Sequence, residues 1–194
     1  MTSPKILAFA GSLRSGSFNK KLVTIAAAGA RAAGAEVTML DLRDLPLPIY
    51  DADSESEHGL PDNARRFKQM LVEHDGVLVA SPEYNSTITA VLKNAIDWAS
   101  RAEPGEPPLV AYRGRIAGVM SASPGALGAI RSLATIRALL AHLGMVVVPA
   151  QLGVPRAGEA FDDAGALKDA KQQAAVEKIG ADVVHFIQKL NPPR

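Results

Sequence analysis

Five short apolar runs punctuate the chain: KILAFAG from residue 5, AEVTMLDL from 35, DGVLVAS from 75, RIAGVMSAS from 115 and MVVVPAQL from 145. Runs this continuously apolar are what strands need when helices cover both faces of a parallel sheet. Between them apolar positions recur at intervals of three and four. Leu22, Ile25, Ala26, Ala30 and Ala33 form one such stripe, and Ile130, Leu133, Ile136, Leu140 and Leu143 form another. A closing segment with Leu167, Ala170, Ala174, Ile179, Val183 and Ile187 has the spacing of an amphipathic helix. Strand and helix thus alternate, which predicts a doubly wound three-layer α/β/α sandwich around a five-stranded parallel sheet. No internal repeat competes with that reading. The stretches 41–59 and 101–114 are rich in Pro, Gly and charge and read as surface loops.

Composition narrows the chemistry. A chain of 194 residues is long enough for one domain with a substantial core, so 1–194 is read as a single domain. There is no cysteine, which excludes disulfides, thiolate metal sites, iron–sulfur clusters and a cysteine nucleophile. The four histidines, His58, His74, His142 and His185, lack metal-ligand spacing, so no metal site is expected. A net charge of +1, with basic and acidic residues interleaved, gives no nucleic-acid footprint. No apolar stretch approaches the roughly 20 residues that span a bilayer. The start MTSPKILAFAGS lacks the pattern of a secretory signal, so no membrane partner and a cytoplasmic location are expected. Any chemistry then rests on ordinary polar side chains or an organic cofactor.

In doubly wound sheets ligands bind beyond the carboxyl ends of the strands, where the winding direction reverses, and the loop after the first strand belongs to that site. Here that loop is GSLRSGSFN, residues 11–19. Gly11 and Gly16 permit sharp turns, and Ser12, Ser17 and Asn19 place short polar side chains at a helix start, where free N–H groups and the helix dipole favour an anion. Arg14 adds a fixed positive charge. Gly16 is followed by Ser17 and Phe18, so the Lys and Ser/Thr of a nucleoside-triphosphate loop are missing, and Gly11-Ser12-Leu13-Arg14 does not match the dinucleotide pattern GxGxxG. A terminal monophosphate fits this corner better than a pyrophosphate. The competing reading is that Ser17 merely caps a helix and Arg14 is a solvated surface residue.

The loop after the third strand reads SPEYNSTITAVLKNAIDWAS, residues 81–100. Pro82 presets a turn that presents Glu83, Tyr84 and Asn85 at the carboxyl edge of the sheet, where a rigid backbone and an aromatic ring suit a flat heterocycle. With GSLRSGSFN and with LPLPIYDAD at 45–53, this stretch makes the chain resemble the flavodoxin-like NAD(P)H-dependent FMN reductases, a group that includes quinone, azo-dye and chromate reductases. The resemblance covers the whole chain with its motifs in matching order. It implies the strand order 2-1-3-4-5, with Ser12, Arg14, Ser17, Phe18 and Asn19 holding the FMN phosphate and Pro82, Glu83, Tyr84 and Asn85 against the isoalloxazine. It also implies that Ser123 and Gly125, in the loop SASPGALG, lie beside the ring. A homodimer or homotetramer is implied too, with the helix of the 81–100 stretch, which carries Leu92, Ile96 and Trp98, in subunit contacts. Trp98 is then either exposed there beside Ile96 or buried within the monomer. Arg101 and Glu103 either pair between subunits or face water.

The resemblance further implies hydride transfer from NADPH or NADH through FMN to a small-molecule acceptor such as a quinone, flavin, azo compound or chromate. The cofactor then carries the chemistry and no catalytic side chain is required. A carboxylate beside a flavin that becomes anionic on reduction is unfavourable, so Glu83 is expected to turn away and bind through its backbone. Arg43 and Arg113 are the cations that could meet the extra phosphate of NADPH. An electron carrier of the flavodoxin type, without a substrate site, is the main alternative; such carriers are strongly acidic, whereas this chain has a pI near 8.0. A flavin-free α/β domain with capped helices is the second. A serine hydrolase is disfavoured because no GxSxG elbow occurs.

Overall fold

A computed structural model describes residues 3–190. The domain expected over 1–194 also takes in residues 1–2 and 191–194, which lie outside the described residues. In chain order the elements are β1 (Lys5–Ala10), α1 (Phe18–Ala32), β2 (Glu36–Leu40), α2 (Ala52–His58), α3 (Asp62–Glu73), β3 (Gly76–Ala80), α4 (Ala90–Ala99), β4 (Ile116–Ala122), α5 (Ile130–His142), β5 (Val146–Val154), the single turn α6 (Ala157–Ala160) and α7 (Ala170–Leu190). All five strands are parallel, in the order β2-β1-β3-β4-β5.

Every residue of β3 and β4 is buried, as the apolar runs predict for strands covered on both faces. Successive side chains of β1 point to opposite faces and enter separate cores. Ile6, Ala8 and Ala10 join the core beneath α1 and α7, while Leu7 and Phe9 join the one beneath α3, α4 and α5. β5 is an edge strand and contains Pro149, which has no N–H to give to a ladder; its register against β4 shifts between Ala117 and Val119. On the other face α1 and α7 cross in near-backbone contact. A Cβ at Gly180 would stand 1.9 Å from the carbonyl oxygen of Ala26, and one at Gly29 would stand 2.0 Å from that of Glu177.

The stretch 41–59 is more ordered than a surface loop. Leu42–Asp44 form a 3₁₀ turn, and α2 is capped by Asp51, whose carboxylate accepts from the amides of Asp53 and Ser54. No residue of α2 is buried, so it has no apolar stripe to betray it in sequence. Asn94 of α4 holds the preceding segment from both sides: its Oδ1 accepts from the Tyr50 amide and its Nδ2 donates to the Pro48 carbonyl, each at 2.8 Å. The stretch 101–114 is irregular as expected, yet it buries Ala111 and Tyr112, whose hydroxyl donates to the Ile96 carbonyl at 2.9 Å.

Trp98 is buried within the chain at 1% exposure. It packs edge-on against Tyr50, and its Nε1 donates to Pro48 O at 2.8 Å. Of the two placements left open by the sequence, burial within the chain is therefore the one found: the indole closes the 45–50 segment over α4. Arg101 and Glu103 also find partners within the chain, Arg101 with Glu55 at 2.8 Å and Glu103 with Arg65 at 2.7 Å.

Candidate functional site

The order of the sheet reverses between β1 and β3, and the loops leaving β1, β3 and β4 therefore lie side by side at one edge. These are the loops that contain the residues singled out from sequence.

The first loop begins with Gly11, whose amide donates to the Ala80 carbonyl of β3 at 2.9 Å. Only glycine fits there, since a Cβ would stand 2.9 Å from Leu92 Cβ and 3.2 Å from the Thr89 hydroxyl. Ser12 is buried, and its Oγ accepts from the Arg14 amide at 3.4 Å. Ser17 occupies the N-cap position of α1 in an extended conformation, but its side chain makes no capping bond. The Ser17 half of the helix-capping alternative is thereby set aside. A helix of 15 residues instead begins with its leading N–H groups uncapped. Arg14 is exposed and makes no side-chain hydrogen bond or ion pair among the described residues. Taken together, a fixed cation, two short hydroxyls and free helix-end amides can hold a dianionic phosphate monoester.

Two residues of this loop are engaged elsewhere through their side chains. Asn19 is buried and pairs reciprocally with the backbone of Ala122 at the end of β4: Nδ2 donates to its carbonyl and Oδ1 accepts from its amide, both at 2.9 Å. Phe18 stacks on Phe161, with centroids 5.9 Å apart and planes 8° from parallel. What these two residues offer an anion is backbone N–H. Arg43, named from sequence as a cation for a second phosphate, donates its Nη2 to the Leu13 carbonyl and braces the loop from outside.

The second loop turns tightly. Tyr84 and Thr87 exchange both backbone hydrogen bonds, at 2.9 and 3.2 Å, with Asn85 and Ser86 in left-handed conformation at φ 50° and 67°. Asparagine tolerates that region better than most residues, which accounts for its place here. The turn leaves Tyr84 53% exposed. The Glu83 carboxylate is directed to the start of α5, where it accepts from the amides of Arg131 and Ser132 at 3.0 and 3.2 Å and pairs with the Arg131 guanidinium at 2.8 Å. Burial pushes this carboxyl up, but the bonds from Ser132 and Arg131 outweigh it and hold the group below its ordinary range.

The third loop is shaped by its own backbone. The Ser123 Oγ accepts from the Gly125 amide at 3.2 Å, and the Gly125 carbonyl accepts from the Arg156 amide. The buried Ser121 donates its hydroxyl to Gly128 O at 2.7 Å, and Gly128 packs directly on Gly153. Leu127 and Ile130 are left exposed beside it.

Sequence reading missed the residues that join these loops: Thr89, Arg131 and Ser132. Thr89 carried a signal, being the N-cap of α4, where its Oγ1 accepts from the Leu92 amide. Its second bond, to Gly11, has no local signature.

A five-stranded parallel sheet in this order, with helices on both faces and a phosphate-suited turn after β1, defines a flavodoxin-like fold. The model of the NADPH-dependent FMN reductase family matches residues 4–159. The chain belongs to this family and is an FMN-dependent oxidoreductase with a nicotinamide nucleotide as electron donor. It is 34% identical over 175 residues to an NAD(P)H-dependent FMN reductase of Pseudomonas aeruginosa, covering 90% of each chain. It is 37% identical over 144 residues to a 2-hydroxy-1,4-benzoquinone reductase of a Burkholderia species, covering 74% of each. Among solved structures it resembles FerB, a flavoenzyme NAD(P)H:(acceptor) oxidoreductase of Paracoccus denitrificans, with a TM-score of 0.80 and 28% identity over 96% of this chain and 98% of that one. Relatives named as reductases favour an enzyme over a carrier. Among the described residues no helix is long and apolar enough to cross a membrane.

Proposed function

We propose that this protein reduces quinone-type acceptors with NADPH or NADH, using FMN seated across the three loops. The observation that carries the reading is the uncapped start of α1 with the unpaired Arg14 beside it, next to the rigid turn of the second loop. Arg14, the hydroxyls of Ser12 and Ser17, and the amides of Phe18 and Asn19 hold the phosphate in this reading. The backbone of Pro82, Glu83, Tyr84 and Asn85 orients the ring on one side, and Ser123 and Gly125 bound it on the other. Bound there, FMN would supply the two-electron hydride chemistry that links a nicotinamide donor to the acceptor. The chain orients the donor and acceptor and keeps a face open for them. Tyr84, Leu127 and Ile130 expose apolar surface at that edge, which suits a flat, weakly polar acceptor. The benzoquinone reductase relative supports a quinone as the acceptor.

A homodimer or homotetramer belongs to the same proposal. Ile49 stands 87% exposed and shares a groove with Leu47, Tyr50, Ala90 and Val91, a face that self-association would cover. A cytoplasmic location is also part of it, because the nicotinamide donor is held there. Light scattering on the eluted protein and cell fractionation test these two points.

The deciding experiment is the visible spectrum of the FMN-loaded protein before and after anaerobic NADPH or NADH, followed by steady-state oxidation of the nucleotide with benzoquinone, an azo dye, chromate and free FMN. Retained flavin colour that bleaches, with the highest kcat/KM for the quinone, is expected. Flavin that washes away overturns the proposed seat. Bleaching without turnover of any acceptor returns the electron-carrier reading.

A further inference from the structure

α5 begins without a cap of its own. Its N-cap position is Ala129, in left-handed conformation at φ 61°, with no side chain able to accept a hydrogen bond. The exposed amides of a helix start are ordinarily satisfied from within a few residues. Here the acceptor is Glu83, 48 and 49 residues earlier, on the second loop. Its two carboxylate oxygens divide the work. Oε2 takes both helix amides, while Oε1 takes the Arg131 guanidinium through Nε at 2.9 Å and Nη2 at 2.8 Å. The Glu83 side chain is 9% exposed and that of Arg131 is 56% exposed, so the carboxylate is enclosed and the guanidinium lies over it as a lid.

The contact spans two walls of the proposed flavin seat, 82–88 from β3 and 123–129 leading into α5. It also settles the charge there. An enclosed carboxylate that is ionised, facing one guanidinium and the positive end of a helix, presents no net negative field.

We propose that Glu83 is a positioning residue: through Arg131 and the start of α5 it latches the second loop to the third, and the pair is matched in charge so that the seat tolerates an electron-rich flavin. This rests on the FMN reading above, which did not assign the Glu83 side chain or either residue of α5. A latch of this kind separates the two functions that a glutamate beside a flavin would otherwise set in conflict. The carboxylate holds the wall in place, and its charge is answered before the flavin meets it.

The test uses Glu83→Gln, Arg131→Gln and the double variant, all in full-length protein loaded with FMN. Removing the negative member leaves Arg131 unanswered, so reduced FMN should bind about tenfold more tightly relative to oxidised FMN, an upward shift of roughly 30 mV for a two-electron couple. Removing the positive member leaves Glu83 unanswered and should move the potential by a similar amount downward. The double variant should return close to wild type. Loosened packing alone would move both single variants the same way, and that result overturns the charge-matching half of the proposal. The mechanical half is read without flavin, by hydrogen exchange on the apoprotein. Glu83→Ala should speed exchange at the amides of Arg131 and Ser132 by about tenfold, and unchanged protection there overturns the latch. Failure of the wild-type protein to retain FMN would sink the functional reading, while the exchange measurement would still decide the latch.

Discussion

The hydroxyl of Thr89 donates to the carbonyl of Gly11 at 2.7 Å, joining the start of α4 to the turn after β1 across 78 residues of sequence. The same oxygen caps α4 by accepting from the Leu92 amide at 3.3 Å, so one buried side chain completes a helix and fixes the first loop at once. Thr89→Ala should cost about 1–2 kcal/mol in stability from the lost cap and the unsatisfied carbonyl. It should also loosen FMN, and Thr89→Ser should restore both. Urea denaturation together with flavin titration checks this, and an alanine variant with unchanged FMN affinity would count against the link between the two loops.

Arg14 gives the opposite combination. Being exposed and without a side-chain partner among the described residues, it should contribute less than about 0.5 kcal/mol to folding. As a charged donor to phosphate it is worth about 1.5–3 kcal/mol, so Arg14→Ala should weaken FMN binding roughly 10- to 100-fold. Fluorescence titration of the apoprotein measures the affinity, and thermal melting of the same sample shows that the fold has survived.

Loading with FMN should itself stabilise the fold. At a free concentration 100 times Kd the gain is about 2.7 kcal/mol, and for a chain of this size each kcal/mol raises Tm by roughly 2–4 °C. A melting temperature that ignores added FMN would mean that the cofactor does not bind the native state.

Gly180→Ala should destabilise despite replacing a helical glycine. Alanine ordinarily gains about 1 kcal/mol over glycine in a helix. Here its Cβ would meet the Ala26 carbonyl at 1.9 Å, and pushing α7 off α1 should reverse the sign, for a net loss of about 1–3 kcal/mol. An increase in Tm would show that the helices slide apart freely.

Glu55 sets a pH dependence. The hydrogen bond from Arg101 pulls its carboxyl below the ordinary value of 4.5, burial opposes this, and the Tyr50 hydroxyl adds to the lowering. The folded value is therefore below the unfolded one, so the stabilisation is complete above the ordinary value and fades as pH falls through the folded one. The stability difference between wild type and Glu55→Gln should stay flat from pH 7 down to about 5 and shrink on further acidification. A difference that grows toward acid would reverse the assignment.

The sheet was legible because strands buried on both faces leave nothing but apolar residues to read, as in the 76–80 and 116–122 segments. The first loop stood out for a different reason: glycine, serine and arginine in a short turn suggest by residue type an anion site. Contacts made at a distance were not legible. Nothing local marks Asn19 as a partner of Ala122, or Glu83 as the cap of a helix 48 residues on, because both depend on which loops the sheet order sets side by side. Trp98 shows the same limit, since an indole on an amphipathic helix looks alike whether it meets a loop of its own chain or another subunit. The helix at 52–58 escaped notice because Asp51, rather than burial, holds it.

The reciprocal pair between Asn19 and Ala122 also has a temporal side. The corner proposed for the phosphate lies among the first twenty residues, yet its helix start is tied down by a backbone 103 positions later. During synthesis this pair cannot form until Ala122 has been made, so the proposed cofactor seat should be completed only after β4 has joined the sheet. In a refolding experiment with FMN present, quenching of flavin fluorescence should lag behind the recovery of helical signal. The part of the chain translated earliest would then be among the last to begin its work.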